Sequence, residues 1–312
     1  MLIALVSLLV AQASSSPPSP VSSSTVGVYV NQLASIDLKA NQFTVDFWVW
    51  FRSTGRAALP VDSFEIIDGK INSKTNIIKK KMPNGEDYGA ARVNATIHQQ
   101  WDLRRYPLDD HDLQIIIEDS EMDATRAVFV ADAKGQGIDP RVSVSGWDVG
   151  RTLGHQVIDH LYESNYGDLS ISETAATHFS RYAVTLEAKR SNVGRFFKVL
   201  FALLISVLVS WCAFFIRPKD ASPRVSVSVG ALFAGAAGMI AINTQLPELS
   251  YSTLTDKTIF LCLGMILLSL IGTVASLTFN YQGNEAGWRR VDRIGGILFP
   301  VLFVVMLLVI VL

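Results

Sequence analysis

A chain of 312 residues has room for about two domains, and its 27 Lys and Arg against 28 Asp and Glu leave a formal charge of −1. So even a balance offers no basic face for nucleic acid or for an anionic membrane surface, and DNA and RNA are excluded as partners. The two cysteines, Cys212 and Cys262, each lie in an apolar stretch, which excludes a disulfide framework and makes both small core hydrophobes. Hydrophobic residues make up 49% of the chain but are unevenly spread, interspersed with frequent charges before Gly194 and dominant after it.

In chain order, residues 1–13 form an apolar run ending in the small-x-small pattern Ala11-Gln12-Ala13, which predicts a signal peptide and export of the polar half of the chain. The Ser- and Pro-rich residues 14–25 predict a disordered lead-in. From 26 to 190 the pattern is strand after strand. Val28, Val30, Leu33 and Ile36, then Phe43, Val45, Phe47, Val49 and Phe51, nearly alternate with polar residues around a turn at Lys39-Ala40-Asn41, which predicts a long hairpin. Further strands are expected at 66–78, 91–99, 112–118, 127–130, 142–149 and 182–188, separated by Gly/Asn/Asp/Pro clusters, so this half is an all-β, immunoglobulin-like sandwich.

Residues 191–312 hold four apolar segments, 195–216, 225–246, 258–281 and 293–312, each long enough for a transmembrane helix. Arg217, Lys219 and Arg224 follow the first and Arg289, Arg290 and Arg293 precede the fourth. The link between the second and third holds only Lys257 against Glu248 and Asp256. The positive-inside rule then puts the first and third links in the cytoplasm, with both termini and the sandwich outside.

The second segment is unsuited to lipid on all sides. At helical spacing Ser222, Ser226, Gly230, Phe233, Ala237, Ile240 and Asn243 form one stripe, polar or small at its start, apolar in the middle and polar at its end. A helix lining a water path needs hydroxyls to solvate ions and a greasy constriction that can dewet. The same small residues also suit an ordinary buried helix packed closely on its neighbours.

The stretch Trp101-Asp102-Leu103-Arg104-Arg105-Tyr106-Pro107-Leu108-Asp109, followed by Leu113-Gln114-Ile115, resembles the signature of the pentameric ligand-gated ion channels. Gly146-Trp147-Asp148, Phe179-Ser180-Arg181, Ser210-Trp211 and Leu246-Pro247 match the family in order, so the resemblance covers nearly the whole mature chain. Without cysteines around 105–118, and with a short link from Tyr281 to Arg293, the chain is similar to the prokaryotic branch.

The resemblance implies a homopentamer in the cell (inner) membrane, passing small ions along the stripe, with Phe233, Ala237 and Ile240 as the hydrophobic gate and Ser222 and Ser226 at the cytoplasmic end. It implies coupling between sandwich and helices through Asp37, Arg105, Tyr106, Pro107, Asp109, Arg190, Leu246, Pro247 and Tyr251. An unknown small-molecule agonist would meet Trp147, Tyr162 and Tyr166. Pro223-Arg224-Val225 is similar to the inner mouth of anion-selective members, yet Arg224 can turn away from the axis. Gly230, Gly235 and Gly238 predict a bent or mobile pore helix.

Other stimuli have weaker marks. Glu118, Asp119, Glu121 and Asp123 bring together oxygen ligands suited to calcium as a modulator, but without the ordered, glycine-containing spacing of a calcium loop, so a solvated acidic turn is the preferred reading. His98, His111, His155, His160 and His178 can each change charge near neutrality. No cofactor is expected, and no Gly-x-Ser-x-Gly, His-Glu-x-x-His or paired-cysteine motif points to an enzyme. The readings left are an ion channel, with membrane lipid and small ions as its surroundings, and a non-conducting membrane receptor or scaffold of the same architecture.

Overall fold

The computed structural model describes residues 21–54, 59–164, 177–190, 193–244 and 246–311, with the backbone alone at 193, 195, 196 and 199. The predicted signal peptide lies outside them.

Strict alternation builds the first hairpin. On β2 (Gln42–Ser53) Phe43, Val45, Phe47, Val49 and Phe51 are all buried, while Thr44, Asp46, Trp48, Trp50 and Arg52 keep partial access to solvent. β1 (Ser22–Asp37) pairs antiparallel with it, setting Val28 opposite Val49 and Val30 opposite Phe47. Asn41 closes the turn in the left-handed region, where Asn is tolerated. β1 begins inside the stretch expected as disordered lead-in, because Ser22 to Val26 pair in parallel with β7 (Ala127–Ala131) and Ser24 hydrogen-bonds Ser53 at 2.6 Å.

The expected strand at 66–78 is two strands in different sheets. After the short helix α1 (Pro60–Ser63), β3 (Phe64–Ile66) ends and β4 (Gly69–Lys81) begins across a turn in which Asp68 takes a positive φ of 56°. With β5 (Asp87–His98), one sheet runs β4-β5-β2-β1-β7, and β8 (Gly137–Ile138) lies on β1. The other runs β3-β6-β10-β9, from β6 (Asp110–Asp119), β9 (Asp148–Tyr162) and β10 (Thr177–Lys189). Leu113, Ile115 and Ile117 of β6 and Tyr182, Val184 and Leu186 of β10 join the first hairpin in one core. The strand expected at 142–149 is instead mostly turn, with a lone bridge between Val144 and Trp147, and β9 starts where it was expected to end.

The helical half starts with α2 (Val193–Trp211), continued by a 3-10 turn over Cys212–Phe215. α3 (Ala221–Asn243), α4 (Leu254–Tyr281) and α5 (Glu285–Val311) follow, each long and apolar enough to cross a membrane. All three begin earlier than expected. For α4 the cause is a capping box, in which the Thr253 hydroxyl accepts from Asp256 N–H and the Asp256 carboxylate accepts from Thr253 N–H at 2.8 Å. α5 contains Pro300, which has no N–H to give the carbonyl of Gly296; the Trp211 indole N–H donates to that carbonyl instead, at 3.1 Å. Gly295 lets this helix approach Phe214 so closely that any Cβ would collide with the ring.

Candidate functional site

α3 has two unlike faces. Arg224, Ser228, Ala231, Gly235 and Ile242 are buried against its neighbours. Ser222, Ser226, Gly230, Phe233, Ala237, Ile240 and Asn243 all keep access to solvent in the single chain, Phe233 at 71% and Ile240 at 62%. The seven residues of the predicted stripe thus share the face that the chain's own fold leaves uncovered. α3 is continuous, and two of its three glycines serve contact: a Cβ on Gly235 would press Leu263 and Ile266 of α4, and one on Gly238 would touch Leu203 of α2. A Cβ on Gly230 would meet open space.

Arg224 points away from that stripe. Its side chain is fully buried, and its guanidinium makes a two-pronged ion pair with Asp292 of α5, one arm at 3.1 Å, besides a bond to the Ile216 carbonyl at 3.1 Å. The one fixed cation at the base of α3 is therefore spent inside the subunit, and the exposed stripe carries no charge.

The junction between sandwich and helices is built around the turn Trp101 to Asp109. Its backbone holds the link between α3 and α4: Leu254 N–H donates to Arg104 O at 2.8 Å, and Thr255 donates to Tyr106 O from its hydroxyl at 2.9 Å and its N–H at 3.2 Å. The Tyr251 hydroxyl accepts from Leu103 N–H at 3.0 Å and donates to Trp101 O at 3.2 Å. Leu246 is buried with the sandwich core, with Pro247 half-buried behind it. From the β1–β2 turn, Lys39 donates to the Thr244 carbonyl at 3.1 Å, and the Asp37 carbonyl receives the Trp101 indole N–H at 3.3 Å.

Under this lies a buried ion pair, Asp109 with Arg190 at 3.2 Å, their side chains 2% and 6% exposed. The Arg190 guanidinium also sits over the rings of Trp147, 4.2 Å from the centroid, and Tyr106, at 4.9 Å. The peptide bond between Tyr106 and Pro107 is cis. A cavity of about 750 Å³ opens beside Arg190, between the β1–β2 turn and the upper ends of α2 and α3. Arg105 does not join the cluster: it is exposed and makes no ion pair among the described residues. The reason is local, since the turn directs Tyr106 inward and leaves both neighbouring arginines on its outer side.

The expected agonist aromatics are not together. Trp147 packs at the end of β10 beside Arg190, whereas Tyr162 pairs across from Thr177 at its beginning; twelve residues of strand put the two about 40 Å apart. Tyr166 lies outside the described residues. Tyr162 instead belongs to a tie in which Arg181 donates to Glu118 at 2.7 Å and to the Tyr162 hydroxyl at 2.6 Å. Burial is the main cause that pushes the Tyr162 phenol up.

Three of the four carboxylates of the acidic turn are spent on protein donors, while that of Glu121 is exposed. Glu118 holds Arg181, Asp119 accepts from the Ser63 hydroxyl at 2.7 Å and from Glu121 N–H at 3.1 Å, and Asp123 caps Thr125. Among the described residues no group of three or more His, Cys, Asp or Glu is arranged to hold a metal ion. Although Glu65 is exposed, partial desolvation by its neighbours, and then the charge of Glu118, raise its carboxyl above the usual range.

Sequence reasoning missed Asp292 as the partner of Arg224, although an acid flanked by arginines at the start of a transmembrane helix was a usable sign. It also missed His111 as a member of the junction, since burial beside Asp109 has no local signature.

No family model matches the chain. It is 22% identical to a proton-gated ion channel of Gloeobacter violaceus over 92% of its own length and 83% of that protein's. It is 20% identical to a gamma-aminobutyric acid receptor subunit beta of Caenorhabditis elegans over 70% of its length, and 24% identical to a glutamate-gated chloride channel of Drosophila melanogaster over 63%. The chain matches only 37% and 40% of the length of these two. With its β-sandwich followed by apolar helices, the chain is similar to these relatives, which are members of the pentameric ligand-gated ion channel superfamily, oligomeric membrane ion channels and not enzymes.

Proposed function

We propose that five copies of this chain surround a pore in the cell (inner) membrane, with residues 26–190 outside the cytoplasm and 191–312 as the multi-pass pore domain. The observation that carries this reading is the uncovered stripe of α3. Hydroxyl, small and apolar groups follow one another along it, and a ring of partner copies would cover its flanks and leave it facing water. Rings of Phe233, Ala237 and Ile240 form the gate, and Ser222 and Ser226 solvate ions at the inner mouth. Because Arg224 is paired with Asp292, the wall itself is neutral, and small monovalent ions are discriminated by whatever charge lies beyond it.

An agonist bound to the sandwich, or a proton, changes the pore through the junction, where Tyr251, Thr255, Leu246 and Lys39 join the helices to strands whose position Asp109 and Arg190 hold. The test is current through purified protein in a planar bilayer with asymmetric KCl while pH and calcium are stepped. A definite reversal potential supports the channel and gives its charge preference. Silence from confirmed pentamers, including a Phe233→Ala variant, favours the non-conducting receptor.

A further inference from the structure

Among the described residues, His111 is the one buried titratable group of the junction to which the pore and its coupling path assign no role. It lies on β6 with its side chain 5% exposed, and its Nε2 is 2.6 Å from Asp109 Oδ2, while Arg190 Nε is 3.2 Å from the other oxygen, Oδ1. One buried carboxylate thus has a nitrogen on each of its oxygens. The Trp101 and Trp147 rings flank the imidazole at 5.0 and 5.6 Å, and Trp147 also carries Arg190 on its face. The exposed Asp110 and Asp112 alternate to the other side of β6, beside Lys189 and Glu187 of β10, and the residue across from His111 on β10 is Ala188. Among the described residues the charged groups around His111 are therefore Asp109, next to its own strand, and Arg190 at the end of β10. Beyond them, on the cavity that Arg190 borders, are Asp37 and Lys39 of the β1–β2 turn and Lys198 of α2.

We propose that His111 is a proton-responsive element of this junction. In the neutral ring the Nε2–H donates to Asp109, and Arg190 supplies the positive charge that faces the carboxylate. A proton taken from water at Nδ1 makes the ring a second cation on the same carboxylate, and the two cations then compete for it and repel each other in a site with little water to screen them. Arg190 stands three positions before Val193, where α2 begins, and Tyr106, on which its guanidinium rests, gives its carbonyl to Thr255 at the start of α4. A change in the hold of Asp109 on Arg190 is therefore delivered to the elements that flank α3. Loosening that hold weakens the link between sandwich and pore, so acid lowers opening through this site. The step rests on the chain being a channel.

The test uses full-length pentamers, with His111→Gln keeping a side-chain donor but unable to take up a charge. Tryptophan emission is titrated between about pH 4 and 8, the range over which histidine changes charge, because an imidazolium between two indoles quenches them. Current is measured in parallel in a Phe233→Ala background, which is expected to leak without agonist. Acid should dim the emission of the His111 protein and lower its current about fivefold or more, the low end of ordinary coupling between sites, and both responses should be absent in H111Q. If Gln at this position prevents assembly, His111→Asn serves as the uncharged variant, and Trp147→Phe should shrink the emission change in a chain that retains the histidine. An acid response in current that survives H111Q overturns the proposal, as does an emission change of equal size in both proteins. Current that rises through His111 on acidification overturns the loosening step. No current from assembled Phe233→Ala pentamers at any pH sinks the channel reading and the proposal with it; this is distinct from a failed switch, in which current flows but ignores His111.

Discussion

Replacing Asp292 by Ala should have one of two costs, set by whether Arg224 stays buried or turns outward. Arg224 is fully buried and has, besides Asp292, one carbonyl partner, that of Ile216. If the guanidinium stays where it is, it becomes a buried charge with most of its hydrogen bonds lost, at a cost of about 3–5 kcal/mol per subunit. That is a factor of roughly a hundred to several thousand in the equilibrium that seats α3 against α5, at about 1.4 kcal/mol per tenfold. If it escapes by turning toward the exposed face of α3, the stability loss is smaller, but the inner mouth gains a cation from every subunit. Two measurements on one sample separate these: thermal loss of pentamers in detergent, and the reversal potential in asymmetric KCl. The single variants D292A and R224M should differ, because R224M leaves an acid that is already 12% exposed and can be hydrated. The double variant R224M/D292L, apolar on both sides, should return close to the parent in stability and keep its reversal potential. A D292A protein that melts like the parent and reverses at the same voltage would refute the assignment of Arg224 to an internal structural pair.

Phe233→Ala should ease opening, since the largest apolar side chain on the exposed stripe would then be a methyl group; unchanged open probability in a conducting protein removes Phe233 as the gate. Arg190→Ala should produce assembled pentamers that respond poorly to the stimulus, and a normal response would take Arg190 out of the coupling path. Glu65→Gln should raise the melting temperature at neutral pH. The Glu65 carboxyl is raised, mainly by partial desolvation and next by Glu118, so it favours folding when protonated, and that contribution is lost as pH rises through its folded value. The advantage of Gln should therefore shrink as pH falls through the carboxylate range, and an advantage that is constant with pH would contradict desolvation as the cause of the raised carboxyl.

What was legible in the sequence tracked the strength of each periodic signal. β2 alternates without a fault, so its strand, its partner and its buried face could all be written down in advance. β9 could not: along Asp148–Tyr162 only Val149 is buried, and a strand with so little burial on either face leaves no alternation to read. The stripe on α3 was legible for the same reason as β2, its seven residues recurring at helical spacing. The partners of its one cation and of Asp109 were not, since Asp292 stands 68 positions from Arg224 and Arg190 stands 81 from Asp109. Sequence distance hides such pairs, and the resemblance to a family supplied the second of them but not the first. It also misled at Trp147, where the aromatic is present but β9 carries the other candidate to the far end of the sandwich.

The Trp211 contact with Gly296 gives α5 something its lipid-facing surface lacks. Hydrocarbon side chains against hydrocarbon tails provide little preference for one depth or one rotation, and Phe299 is the single residue of this helix that the fold buries. An indole proton donated to the one carbonyl that Pro300 leaves without a helical partner reads out a single position along the axis, and Asp292, about one turn away toward the start of the helix, reads out the rotation. This helix thus finds its seat by two polar addresses, and a slip of one turn in either direction would leave both unanswered.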